Sequence, residues 1–156
     1  MKVTLEWYEL LQAALCGVRR HIEALHKGLP DKHGFDSDGW GAHIEGAAGE
    51  MAAAKSLGLY WNGSINTFSK GGDVGALQVR TRSKSNYDLI VRHGDSDNDI
   101  FILVRGMAPS FDVVGWAYGR DCKKDEYKQS YGGRPEAWFV PASSLNHISL
   151  LLNMLR

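Results

Sequence analysis

Several things are scarce in this chain. It has two cysteines, Cys16 and Cys122, in 156 residues. They lie far apart and match no zinc or redox spacing, which excludes a disulfide framework and a cysteine-built metal finger and leaves two free thiols suited to a reducing compartment. Net charge is absent, because 18 Lys and Arg balance 18 Asp and Glu. No global field then draws the chain to nucleic acid or to a membrane surface, so any such binding must rest on local charge asymmetry. No apolar run approaches the length of a bilayer span. There is no internal repeat and no low-complexity tract. The start, Met1-Lys2 followed by a mixed, acid-containing segment, reads without a signal peptide. No Ser/His/Asp or Cys/His arrangement for nucleophilic catalysis stands out. These absences lead us to expect a soluble cytoplasmic protein, and the length suits a single domain, 1–156, with a real core.

What is present begins with a helix over residues 3–27. Leu5, Tyr8, Leu11, Leu15, Val18, Ile22 and Leu25 recur at three-and-four spacing, and Thr4 is placed to cap the start. The second half is basic, with Arg19, Arg20, His21, His26 and Lys27, which suits either a solvated helix end or a phosphate-contacting edge. Gly28-Leu29-Pro30 stops this helix, and 30–41 reads as a loop. Asp31, His33, Asp36 and Asp38 in that loop match no defensible metal spacing. A second helix, 42–58, is made of small residues and ends at Gly58. It carries Glu45 and Glu50, which diverge because five residues separate them. Glu50 is the better candidate to point inward, since Ala47, Gly49, Ala53 and Ala54 leave room around it.

From residue 59 the pattern turns to strands: an irregular one over 59–68, then 76–82, 87–92, 99–105, 111–118 and 137–140. Ile100 to Val104 is almost continuously apolar and reads as a strand covered on both faces. Asp95, Asp97 and Asp99 resemble the start of a calcium loop, but the motif's glycine and closing glutamate are missing, so they read as a hairpin tip. Residues 120–134 interleave Lys123, Lys124, Lys128 and Arg134 with Tyr127 and Tyr131, which suits a nucleic-acid-facing loop or a plain surface insertion. A last helix follows Ser143 or Ser144, with Leu145, Ile148, Leu151, Leu152 and Leu155 as its buried stripe. The fold class is α+β (mixed α/β), with a central, mostly antiparallel or mixed sheet flanked by helices.

The chain's chemistry centres on residues 71–81, Gly-Gly-Asp-Val-Gly-Ala-Leu-Gln-Val-Arg-Thr. A glycine pair and an acid, Asp73, precede a tight turn and an alternating strand. On that strand Leu77 and Val79 face one side, and Gln78 and Arg80 the other. In order, the chain offers a helix with Gly49-Glu50, a strand, Gly72-Asp73, a turn, and a strand with Gln78-x-Arg80. This arrangement resembles the PD-(D/E)xK nuclease superfamily over roughly residues 42–105, and the strand region is also similar to that of small phage-encoded proteins. Gln78 stands where that family most often has Asp or Glu, and Arg80 where it has Lys. Glutamine keeps an oxygen for a hard cation but brings no charge. Arginine stays protonated and can serve only as an electrostatic clamp.

The resemblance implies a restriction-endonuclease-like core over 42–156 with residues 1–40 as an N-terminal helix-and-loop extension, and a metal-dependent phosphodiester hydrolase of endonuclease type. It implies Glu50, Asp73, Gln78 and Arg80 as catalytic residues. Glu50, Asp73 and Gln78 (or the Val79 carbonyl) would hold Mg²⁺ or Mn²⁺, with Arg80 on the scissile phosphate. Arg82, Lys84, Arg92, Arg105, Lys123 and Lys124 would contact the backbone of a nucleic acid, DNA foremost. A homodimer is an open option. The competing expectation is a catalytically inactive DNA- or protein-binding module that keeps the same fold.

Overall fold

A computed structural model of the chain describes residues 1–28, 39–65 and 71–156. Strand β1 (Lys2–Thr4) opens the chain, where a helix was expected, and pairs antiparallel with β5 (Ser110–Tyr118). Helix α1 (Trp7–His26) then starts behind Glu6. Its start is fastened by Glu6 and Glu9, which bond each other's backbone N–H groups in a capping box, so the expected cap at Thr4 is replaced. Helix α2 (Gly39–Leu57) begins three residues earlier than its alanine-rich core suggests. It ends as expected at Gly58, whose φ of 65° is open to glycine and unfavourable for most other residues. The proposed strand 59–68 does not form over 59–65, and its remainder lies outside the described residues, as does the Asp/His loop at 31–38.

The central sheet has the order β1-β5-β4-β2, where β2 is Leu77–Arg82 and β4 is Ile100–Met107. β4 pairs antiparallel with β5 and parallel with β2, so the sheet is mixed and β2 is an edge strand. A second sheet runs β3-β7-β6, with β3 Leu89–Val91, β6 Lys128–Gln129 and β7 Ala137–Val140. The chain is therefore α+β with a mixed sheet, as its pattern implied. The basic segment 120–134 is more structured than expected. It holds a short helix α3 (Gly119–Cys122), a 3₁₀ turn (Asp125–Tyr127) and β6.

The two faces of β4 sort the core. Ile102 and Val104 join Leu77 and Val79 of β2 and the alanines of α2 in one cluster, with Ile148 and Leu151 of α4 (Ile148–Met154). Phe101 and Leu103 point the other way, into a second cluster with Leu89, Val91 and Val140 of the smaller sheet. Residues 101–104 are wholly buried, as a run covered on both faces should be. Each such side chain contributes about 1.5–3 kcal/mol of burial. Helix α4 is capped by His147 instead of Ser143 or Ser144, and only Ile148 and Leu151 of its stripe are deeply buried. Among the described residues no helix is long and apolar enough to cross a membrane.

The small residues of both long helices account for their close packing. A methyl group added at Gly17 of α1 would lie 2.5 Å from the Cα of Ile44 on α2, and one added at Gly49 would strike the Thr81 side chain on β2. Helix α1 thus turns Ala13, Cys16 and Gly17 inward, and its large apolar stripe, from which the helix was read, faces outward.

Candidate active site beside the edge strand

Close packing at Gly49 sets the next residue, Glu50, deep between α1, α2 and the segment after Gly58. Glu50 is 7% exposed, the one acidic or basic side chain in the fully buried class among the described residues. Arg20 of α1 holds it bidentately, with Nη1–Oε1 at 2.6 Å and Nη2–Oε2 at 2.8 Å, and the Trp61 indole donates to Oε2 at 3.1 Å. Burial works against the Arg20 charge, but the hydrogen bonds and charge of Glu50 together outweigh it and raise the guanidinium's proton affinity. Glu45, the other candidate, is spent on the backbone N–H of Ala108 at 3.0 Å. The structure thus favours Glu50 over Glu45 as the inward carboxylate.

Asp73 is placed by the turn that follows it. Val74 and Leu77 exchange backbone hydrogen bonds of 3.1 and 3.0 Å around Gly75, whose φ of 60° the turn requires. This returns the chain so that Asp73 Oδ2 accepts the Val79 N–H at 2.7 Å. Because β2 is an edge strand, that N–H has no strand partner on its outer side, and the carboxylate supplies one. The Asp73 carboxyl is pushed above the ordinary aspartate range. Burial is the main cause and the Glu50 charge adds to it, while the Val79 N–H, Arg80 and Arg20 pull the other way. Asp73 therefore stands where the two faces of β2 meet, within electrostatic reach of Glu50 and Arg20 on one side and Arg80 on the other.

Gln78 and Arg80 do project from the face opposite Val79, as the alternation required, and that face looks toward the smaller sheet. Their positions are opposite Phe101 and Leu103 of the second core cluster. Gln78 and Glu50 consequently lie on different faces of β2, and the expected three-residue metal set is not brought to one face. Gln78 Nε2 approaches Asp99 Oδ2 at 3.5 Å. Arg80 is engaged by Asp95 at 2.9 Å and rests over the Phe101 ring, 5.0 Å from its centroid. Asp95 also accepts the Arg92 N–H at 2.8 Å, so the acidic hairpin tip read from the sequence serves as counter-charge to the proposed phosphate clamp. Among the described residues no group of three or more His, Cys, Asp or Glu side chains is gathered so that it could hold a metal ion.

The expected nucleic-acid contacts divide. Lys123, an expected nucleic-acid contact, donates to Asp97 and to the Asp95 carbonyl, both at 2.6 Å. Lys84 and Lys124 are exposed, over the Tyr87 and Tyr127 rings. Arg105 donates to the Tyr87 carbonyl at 2.6 Å. Arg82 and Arg92 line a cavity instead of an open face. Sequence reasoning missed Arg20 and Trp61 as partners of Glu50. The signal for Arg20 was available, since Ala13, Cys16, Gly17 and Arg20 follow the i, i+3, i+4, i+7 pattern on a face made of small residues. Comparison with protein-family models, with curated proteins and with solved structures finds no match to this chain.

Proposed function

We propose that this chain is a metal-dependent phosphodiester hydrolase acting on nucleic acid, with DNA the first substrate to try and the cytoplasm as its setting. The observation that carries the reading is the state of Asp73: a half-buried carboxyl, oriented by a backbone N–H, whose ionisation is opposed by partial burial and by the neighbouring Glu50. Like-charged groups withdrawn from water cluster at functional sites, because a ligand or reaction uses what folding leaves uncompensated.

The donor set fits a hard cation. Mg²⁺ and Mn²⁺ favour carboxylate oxygen, and Mg²⁺ commonly uses only one or two protein carboxylates, keeping waters and substrate phosphate in its other positions. Asp73 and Glu50 would hold the ion, and the absence of a third acid is no obstacle. A bound ion supplies Lewis-acid polarisation of the phosphoryl oxygen and an acidified water. The chain's own residues do the positioning. Val79 N–H fixes Asp73, Trp61 and Arg20 fix Glu50, and Arg20 stands as the resident counter-cation that a metal must share with Glu50 or displace. Arg80 contributes positive potential at Asp73 and would reach a phosphate only on leaving Asp95.

The pairing of Arg80 with Asp95, and the separation of Gln78 from Glu50, favour a second reading: a nucleic-acid-binding or protein-binding module without catalysis. Thermal unfolding in millimolar Mn²⁺ or Mg²⁺ separates the two. The hydrolase reading expects a rise in Tm that Asp73→Asn removes, since binding to the folded state alone stabilises it. No rise, or a rise that Asp73→Asn leaves intact, favours the binding module.

A further inference from the structure

On the far side of β2 from Glu50 lies a cavity of about 640 Å³ to which neither Asp73 nor Glu50 contributes. Its wall includes Arg82, Arg92 and Arg134. Arg82 and Arg92 form no ion pair among the described residues, and the Nε of Arg82 is buried without a hydrogen-bond partner. Burial lowers the proton affinity of both. Arg80 adds repulsion at Arg92 against the opposing Asp95, and Arg134 and Arg105 add it at Arg82 against the opposing Tyr87 and Asp88. The carboxylates in the same wall are shared with other basic side chains: Glu136 with Lys128 at 3.0 Å and His93 at 3.7 Å, and Asp88 with Arg105 at 3.9 Å. Positive charge is thus concentrated here, although the chain as a whole is neutral. The wall also carries three aromatic rings, Tyr87, Tyr131 and Phe139. Tyr87 lies under the Arg82 guanidinium at 4.7 Å, and Tyr131 meets Phe139 edge-on at 4.8 Å.

We propose that this cavity binds a phosphorylated nucleoside, with the phosphate on Arg82 and Arg92 and the base against Tyr131 and Phe139. Guanidinium forks match phosphate oxygens, and aromatic faces stack on any base. The volume lies within the roughly 300–1,000 Å³ of small-ligand sites. The same chemistry is offered by a free nucleotide and by the phosphorylated end of a strand. The inference does not rest on the hydrolase reading, and its test is run in EDTA so that a metal site has no part in it. Calorimetric titrations compare adenosine 5′-monophosphate with adenosine, and a 5′-phosphorylated single-stranded deoxyoligonucleotide with its 5′-hydroxyl form. Phosphate should improve affinity about tenfold or more, the worth of one charge-assisted hydrogen bond. Arg92→Met should abolish that preference, and Tyr131→Ala, at an exposed position, should weaken binding without touching the fold. A free nucleotide binding as tightly as the strand identifies the first source, and a strand binding much more tightly identifies the second. Equal binding with and without phosphate overturns the proposal, as does a preference that survives Arg92→Met in a folded variant.

A different observation carries a second inference. Tyr8, Leu11, Leu15, Val18, Ile22 and Leu25 alternate three and four apart, the strict 3.5-residue repeat of a coiled-coil seam. All but Val18 are exposed, by 49–61%, beside Trp7 at 75%. We infer that this seam pairs with the same seam of a second copy, antiparallel. A two-fold axis midway between Leu15 and Val18 sets Tyr8 opposite Leu25 and Leu11 opposite Ile22, which makes the surface self-complementary. The antiparallel choice keeps the basic ends, with Arg19, His21 and His26, apart. Six large side chains, Trp7, Tyr8, Leu11, Leu15, Ile22 and Leu25, would be covered on each chain, the kind of apolar centre that an interface of the standard ~800 Å² per partner needs. Sedimentation equilibrium of the full chain should give a dimer, and Leu15→Glu with unchanged circular dichroism should give a monomer. A wild-type monomer at about 100 μM, well above the micromolar affinities of standard interfaces, overturns the inference. So does a dimer that survives both Leu15→Glu and Ile22→Glu.

Discussion

Glu50 is a buried acid and Asp73 a half-buried one, and they differ in how their charge is met. Glu50 has a bidentate arginine and an indole. Removing its charge takes the anionic partner from Arg20, whose Nε keeps the Ser64 carbonyl at 2.8 Å, so Glu50→Gln should cost about 3 kcal/mol. Adding Arg20→Met to that variant should recover much of the loss, and urea denaturation of the four proteins in the cycle gives the coupling. Asp73 has its carboxyl raised above the unfolded value. Its contribution to stability is therefore fully present below the unfolded pKa and is lost as pH rises through the folded one. Asp73→Asn keeps an acceptor for the Val79 N–H and has no charge to lose. The variant should gain stability relative to wild type between acid and neutral pH, which denaturation at a series of pH values reads directly. A difference that stays flat with pH would mean the raised carboxyl is not felt. At this scale the sequence was informative about identity and less so about company. Asp73 and Glu50 were legible from the glycine pair and the small-residue helix. The partners of Glu50, Arg20 and Trp61, lie 30 and 11 residues away: the small-residue face of the first helix marks Arg20 as inward but not what it meets, and no local pattern marks Trp61.

Among the elements, β2 and α1 show where a pattern is sufficient and where it misleads. The alternation of Leu77, Gln78, Val79 and Arg80 correctly divided the two faces of β2. It could not say that β2 would be an edge strand beside β4, and so could not say that Gln78 and Arg80 would look toward Asp99 and Asp95. For α1, the apolar stripe correctly announced a helix and wrongly suggested which face would be buried in this chain. The face packed on α2 is instead the small one, because a close helix–helix approach rewards glycine and alanine over bulk. Gly17→Val should therefore separate α1 from α2 and destabilise the fold by about 2 kcal/mol or more through overpacking against the backbone of Ile44. Gly46→Ala, a position with open space around the added methyl, should be neutral or stabilising, since alanine is the better helix former by about 1 kcal/mol. Thermal unfolding of both variants checks the contrast.

For the whole molecule, neutrality of the sequence conceals a division of labour. Glu50 lies on the helical side of the central sheet with Asp73 at the sheet edge, and the opposite side holds the arginine-lined cavity. Sequence composition averages these to zero, which is why net charge gave no guide to either. The mixed α+β class was legible because element types follow from periodicity. The split into two sheets was not, because it depends on β3 pairing with β7, about 50 residues further on. The proposed hydrolase makes one demand that no binding module shares: phosphodiester bonds must break, and Asp73 must be needed. Plasmid, linear duplex and single-stranded DNA incubated with Mg²⁺ or Mn²⁺ should be cut by the wild-type chain, and Asp73→Ala should lower the rate by about 10²-fold or more. Intact DNA in every wild-type reaction, or cleavage undiminished in Asp73→Ala, would contradict the account.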